Sequence, residues 1–143
     1  MALNPPISYQ GIPLRVNDEY ILLRRDGMEM EAKIPNMKTL SMKGSLFLTS
    51  ARLVMVSKNF STDTIKSFDM PLALMRHTDF KQPIFGSNYL KFTILPLFNL
   101  IPAQGEVKIW FTHGGCEKFL KIFDIACNQV ASQLKSGMKT HTP

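Results

Sequence analysis

A chain of 143 residues is the size of one domain, long enough to bury a core without a metal or a disulfide. Its 45% hydrophobic and 20% charged content excludes wholesale disorder, and no stretch reaches the roughly 20 apolar residues of a spanning helix. A net charge of +6 favours anionic partners (phospholipid surfaces, nucleic acid or acidic proteins) without choosing among them, and a solvated basic face is the plain alternative.

Residues 1–13 hold Pro5, Pro6, Gly11 and Pro13 and are predicted to form a flexible arm. They lack the cationic start and apolar run of a secretory signal. Tyr20 to Arg24 is a short apolar run ended by Asp26-Gly27, a turn dipeptide, and Met28 to Ala32 alternates with period two, so a hairpin is predicted. A looser connection with Pro35 and Asn36 follows. In KGSLFLTSARLVMVSK, apolar runs at Ser45 to Leu48 and Leu53 to Val56 flank a polar corner, which predicts a second hairpin of largely buried strands.

Phe60 to Thr64 is turn-like, and Ile65 to Met70 is a short strand that stops at Pro71. Met75 to Phe80 is another strand, Pro83 and Gly86 mark a loop, and Tyr89 to Leu95 is a β-rich run. A connection with Pro96, Asn99 and Pro102 leads to the last strand, Val107 to Thr112, which Gly114-Gly115 ends. From Cys116 to Leu134 the period changes to three and four, predicting an amphipathic helix with Phe119, Phe123, Cys127 and Val130 against the sheet. Residues 135–143 are expected to form a flexible tail.

Cys116 and Cys127 on one helix lie about 16 Å apart, beyond the roughly 6 Å of a disulfide. Buried, reduced thiols imply an intracellular protein of cytoplasm or nucleus. Several strands followed by one helix give the fold class: mainly β with one C-terminal α-helix, a sandwich or barrel capped by that helix.

Two stretches carry a family resemblance. Lys43 to Ser57, KGSLFLTSARLVMVS, resembles the core of the GRAM domain, and Lys81 to Lys91, KQPIFGSNYLK, resembles the loop-and-strand segment of the WW-domain-binding-protein family. SFDMPLALM between them is similar to the same family, and order and spacing agree over about residues 14–134. The resemblance implies a pleckstrin-homology-like (PH-like) GRAM domain over 14–134. It also implies a non-catalytic adaptor with protein partners, in a family that includes a transcriptional coactivator. Family members carry PPxY motifs that dock into WW domains. Here the only Pro-Pro pair, Pro5-Pro6, is followed by Ile7-Ser8-Tyr9, one residue too long. WW-domain partners are therefore expected only where a PPxY region accompanies the domain.

No catalytic motif, cofactor fingerprint or metal-ligand spacing is present, and no recognition helix or stacking platform marks a nucleic-acid site. Phe85-Gly86-Ser87-Asn88-Tyr89 is expected to be a structural turn whose aromatics plug the core. The sharper reading makes Phe85, Asn88 and Tyr89 a peptide-docking loop. From Lys33 to Thr62 there are five cations, Lys33, Lys38, Lys43, Arg52 and Lys58, and no acid. As the alternative function, they would hold phosphoinositide or anionic membrane by charge-assisted hydrogen bonds.

Overall fold

The computed structural model describes residues 2–16, 18–96 and 104–140. Eight strands are joined in one antiparallel sheet: β1 (Ala2–Leu3), β2 (Ile21–Lys33), β3 (Leu40–Thr49), β4 (Arg52–Ser57), β5 (Ser67–Pro71), β6 (Met75–Lys81), β7 (Tyr89–Ile94) and β8 (Gly105–Trp110). Their order is β1-β5-β4-β3-β2-β8-β7-β6. A short 3-10 turn, Leu72–Leu74, precedes β6, and α1 (Cys116–Thr140) ends the described chain.

The predicted first hairpin is instead one long strand. Asp26-Gly27 falls at a bulge inside β2, where the register to β3 shifts between Arg25 and Met28. Gly27 has φ +68°, as a bulge glycine can. The first half of β2 pairs only with β3, and the second half pairs with β3 on one side and β8 on the other. β2 thus turns the corner between the two halves of the sheet. The core lies between those halves: Met28, Met30 and Ala32 of β2, Leu46 and Leu48 of β3, Phe68 and Met70 of β5, and Leu90 and Phe92 of β7.

Period-two alternation explains which face each β2 residue takes: Glu29, Glu31 and Lys33 point away from the core residues between them. β4 is buried on both faces. Leu53 and Met55 enter the main core, while Phe47, Val54 and Val56 form a second cluster with Ile7, Ile12, Ile21 and Phe60. That is why the run reads as continuously apolar. The segment expected to be a flexible arm supplies Ile7 and Ile12 to this cover. Its Asn4 amide donates to Ser67 O at 2.8 Å, and the Asn4 side chain bonds the backbone at Thr64 and Lys66.

Phe119, Phe123 and Ala126 of α1 are buried, with Cys127 and Val130 packed beside them. Phe119 lies 5.2 Å, centroid to centroid, from Phe111 just past β8. The helix runs six residues beyond its predicted end at Leu134, to Thr140, a stretch that contains Gly137 but no proline. Of the expected tail, residues 141–143 lie outside the described residues, as do residues 97–103 of the connection before β8.

Candidate functional site

The five predicted cations do not form one patch. Arg52, at the β3–β4 corner, is a buried structural residue. Its Nε donates to Glu19 Oε2 at 2.8 Å, Nη1 to Asp69 Oδ2 at 3.1 Å, and Nη2 to Leu14 O at 2.9 Å. Burial alone would lower the Arg52 pKa, but the bonds and charges of Glu19 and Asp69 raise it. Glu19 is the mirror case: burial pushes its carboxyl up, and donors from Arg52, Thr49 and Val16 outweigh that and hold it below the usual range. Four of its five N–H donors are engaged inside the fold, Nη2 bonding Glu19 Oε1 as well, and the residue is buried, so Arg52 leaves the lipid set.

The other four are exposed, and two are partly neutralised. Lys33 Nζ lies 3.6 Å from Glu31 Oε1, and Lys43 Nζ lies 3.7 Å from Glu29 Oε1. Lys38 sits on the turn between β2 and β3. Lys58 follows β4, its amide donating to Lys43 O at 2.9 Å. Lys43 and Lys58 therefore adjoin a common hollow of about 290 Å³ lined also by Gly27, Ser45 and His113. Arg52 stands six residues back along β4, roughly 20 Å away.

The predicted docking loop also divides. Asn88 is inward: its Nδ2 donates to Cys116 Sγ at 3.7 Å, and its carbonyl accepts the Phe111 amide at 2.9 Å. Tyr89 is half-buried, its ring 5.9 Å from Trp110, with Lys108 Nζ 5.7 Å from the ring centre. Phe85 contradicts the core-plug expectation: it is 91% exposed. The loop is held through Asn88 and the strands, so its tip needs no anchor in the core.

Between these regions runs a shallow groove of about 400 Å³ across β8, β2 and β3. Glu29, Glu31, Lys43, Ser87, Trp110 and Thr112 line it. Trp110 was not singled out from the sequence. The signal was present in Val-Lys-Ile-Trp-Phe-Thr, since burial of Val107, Ile109 and Phe111 puts Lys108 and Trp110 on the outer face. The groove combines mixed charge with one aromatic wall. Among the described residues, no three His, Cys, Asp or Glu side chains converge to hold a metal ion. No described helix is long and apolar enough to cross a membrane.

No family model matches the chain. It is 38% identical over 94 residues to a stress-induced protein of Schizosaccharomyces pombe, covering 64% of this chain and 53% of that protein. It is 34% identical over 142 residues to WW domain-binding protein 2 of Homo sapiens, covering 96% of this chain and 52% of that protein. The chain thus spans about half the length of the curated relatives it matches. Among solved structures, the Vps36 N-terminal PH domain superposes with a TM-score of 0.69 at 15% identity, over 92% of this chain and 95% of that one. At that identity the likeness shows the fold: a PH-like sheet closed by a C-terminal helix.

Proposed function

This chain is a homologue of the WW domain-binding proteins, and from that premise we propose that it is a non-catalytic adaptor that holds an extended segment of a protein partner. The observation that carries the reading is the groove across β8, β2 and β3, with its Trp110 wall and alternating charges. Partner carboxylates meet Lys43, partner cations meet Glu29 and Glu31, and a flat side chain lies on the Trp110 ring. Exposed ion pairs such as Lys43 with Glu29 contribute little, about 0–1 kcal/mol, and exchange readily for partner charges.

Selection of displayed peptides on the 143-residue chain tests this. We expect mixed-charge peptides whose capture falls at least about tenfold in Trp110→Ala and changes its charge preference in Lys43→Glu. Capture unaffected by both substitutions would place the partner elsewhere. The alternative, a phosphoinositide or anionic-membrane contact by the cations, rests on Lys38 and Lys58 with Lys33 and Lys43 partly neutralised, and without Arg52.

A further inference from the structure

Ile84 and Phe85 are 93% and 91% exposed, side by side at the tip of the β6–β7 hairpin. A Cβ added at the next residue, Gly86, would meet nothing within 4 Å, so the tip stands clear of the body. An apolar pair held in water gains by transfer to an apolar medium.

The residues behind the tip say which medium. Across antiparallel strands, directly paired residues share a face. One row back, Lys81 pairs with Tyr89, and Tyr89 with Trp110. Two residues further along the strands, on the same face, Asp79 pairs with Lys91, and Lys91 with Lys108. Passing inward from the tip, the order is two apolar side chains, then an amphipathic aromatic with a cation, then further cations. A bilayer presents the matching order: hydrocarbon, the headgroup interface where tyrosine and tryptophan collect, and phosphates.

Lys108 has no ion pair among the described residues, and lies over the Tyr89 ring. Lys81 and Lys91 are paired with Asp79 and Glu106 at 2.7 and 2.9 Å, on exposed surface where such pairs yield easily to other anions. A protein partner would need a pocket shaped to this convex tip, whereas a bilayer needs none.

We propose that the β6–β7 tip inserts Ile84 and Phe85 into the interface of an anionic membrane, with Tyr89 at headgroup level and Lys81, Lys91 and Lys108 facing phosphates. This contact adjoins the peptide groove: Ser87 of the same loop and Trp110 beside Tyr89 form the near edge of the groove, which extends from there over β2 and β3.

The test uses the 143-residue chain with vesicles of phosphatidylcholine and phosphatidylserine. A Phe85→Trp substitution, made with Trp110→Phe so that it is the sole tryptophan, reports the tip: its emission should shift to the blue on vesicle addition and be quenched by lipids brominated on the acyl chain. The Ile84→Ser, Phe85→Ser double substitution should weaken partitioning about tenfold or more. Its melting temperature should stay unchanged, since neither side chain is in the core. Added salt should weaken binding without abolishing it, because only the cations are screened. Unchanged emission of the Phe85→Trp protein overturns the proposal and leaves the tip to a protein partner. Binding that survives the double substitution, or that salt abolishes, overturns it in favour of a purely electrostatic contact.

Discussion

At the scale of single residues, the buried group formed by Glu19, Arg52, Asp69 and Thr49 is where charge matters most to stability. Removing one member of a buried pair strands the other, at a cost of about 3–5 kcal/mol. Glu19→Ala should therefore lower the unfolding free energy measured in urea by that much at neutral pH, with Arg52 left facing Asp69 alone. The pH dependence has a definite sign. Glu19 is held below its ordinary value in the folded chain, so its contribution is present above the unfolded pKa and lost as pH falls through the folded one. Urea midpoints should drop on acidification below about pH 4.5, and less steeply in Glu19→Gln than in the parent. An equal acid dependence in both would assign the loss to other carboxylates. The sequence offered Arg52 as one cation in an acid-free segment, but its partners lie 33 and 17 residues away, where only the folded sheet brings them. Lys33 and Lys43 misled in the opposite way: their acids, Glu31 and Glu29, were legible as neighbours on β2, but the pairing of Lys43 with Glu29 required the β2–β3 register.

At the scale of elements, local periodicity located most strands and the helix, and failed where a local signal served a different geometry. Asp26-Gly27 has the dihedral freedom that a hairpin turn needs, and a bulge draws on the same freedom. The distinction lies in what faces it: a Cβ on Gly27 would come 2.0 Å from the His113 ring, in the turn that leads to α1. Arg25 donates to the Gly115 carbonyl at 2.7 Å, so the bulge and that turn lock together. Gly27→Ala should destabilise by about 1–3 kcal/mol through its positive φ, with the steric contact adding to it. Gly86→Ala, also at positive φ but in open space, should cost less. Thermal denaturation of the two variants separates them, and equal losses would remove the His113 contact from the account. The helix face was legible because Phe119, Phe123 and Ala126 recur every three or four residues. Phe123→Ala should cost about 3–5 kcal/mol by urea denaturation, since the ring is buried beside Phe119. The exposed tip at Ile84 and Phe85 was not legible as exposed, because hydrophobicity alone assigns such residues to a core.

At the scale of the whole molecule, the deciding feature is the course of the first residues. Proline and glycine there suggested mobility, and composition held no sign that the outer face of β3 and β4 needs a cover. The structure lays Ile7 and Ile12 on Phe47, Val54 and Val56, buries Pro5, and pairs Ala2 and Leu3 with β5. With Pro5 buried and its spacing to Tyr9 wrong, the Pro5-Pro6 pair is no free ligand, and immobilised WW domains should not retain this 143-residue chain. Deleting residues 1–13 provides the sharper measurement. It would uncover Phe47, Val54 and Val56, remove the Asn4 bonds to Thr64, Lys66 and Ser67, and release the restraint on Leu14, whose carbonyl accepts from Arg52. Three large side chains losing part of their burial, together with these bonds, should destabilise the domain by several kcal/mol, on the order of 3–6. The main core cluster, including the buried helix face, is built from residues outside this segment, so the shortened chain should keep its fold at low temperature and melt earlier. It should also bind an environment-sensitive apolar dye more strongly, through the bared β3–β4 face. An unchanged melting temperature would mean that the segment leaves the sheet in solution, and that the outer cluster contributes nothing to holding the domain together.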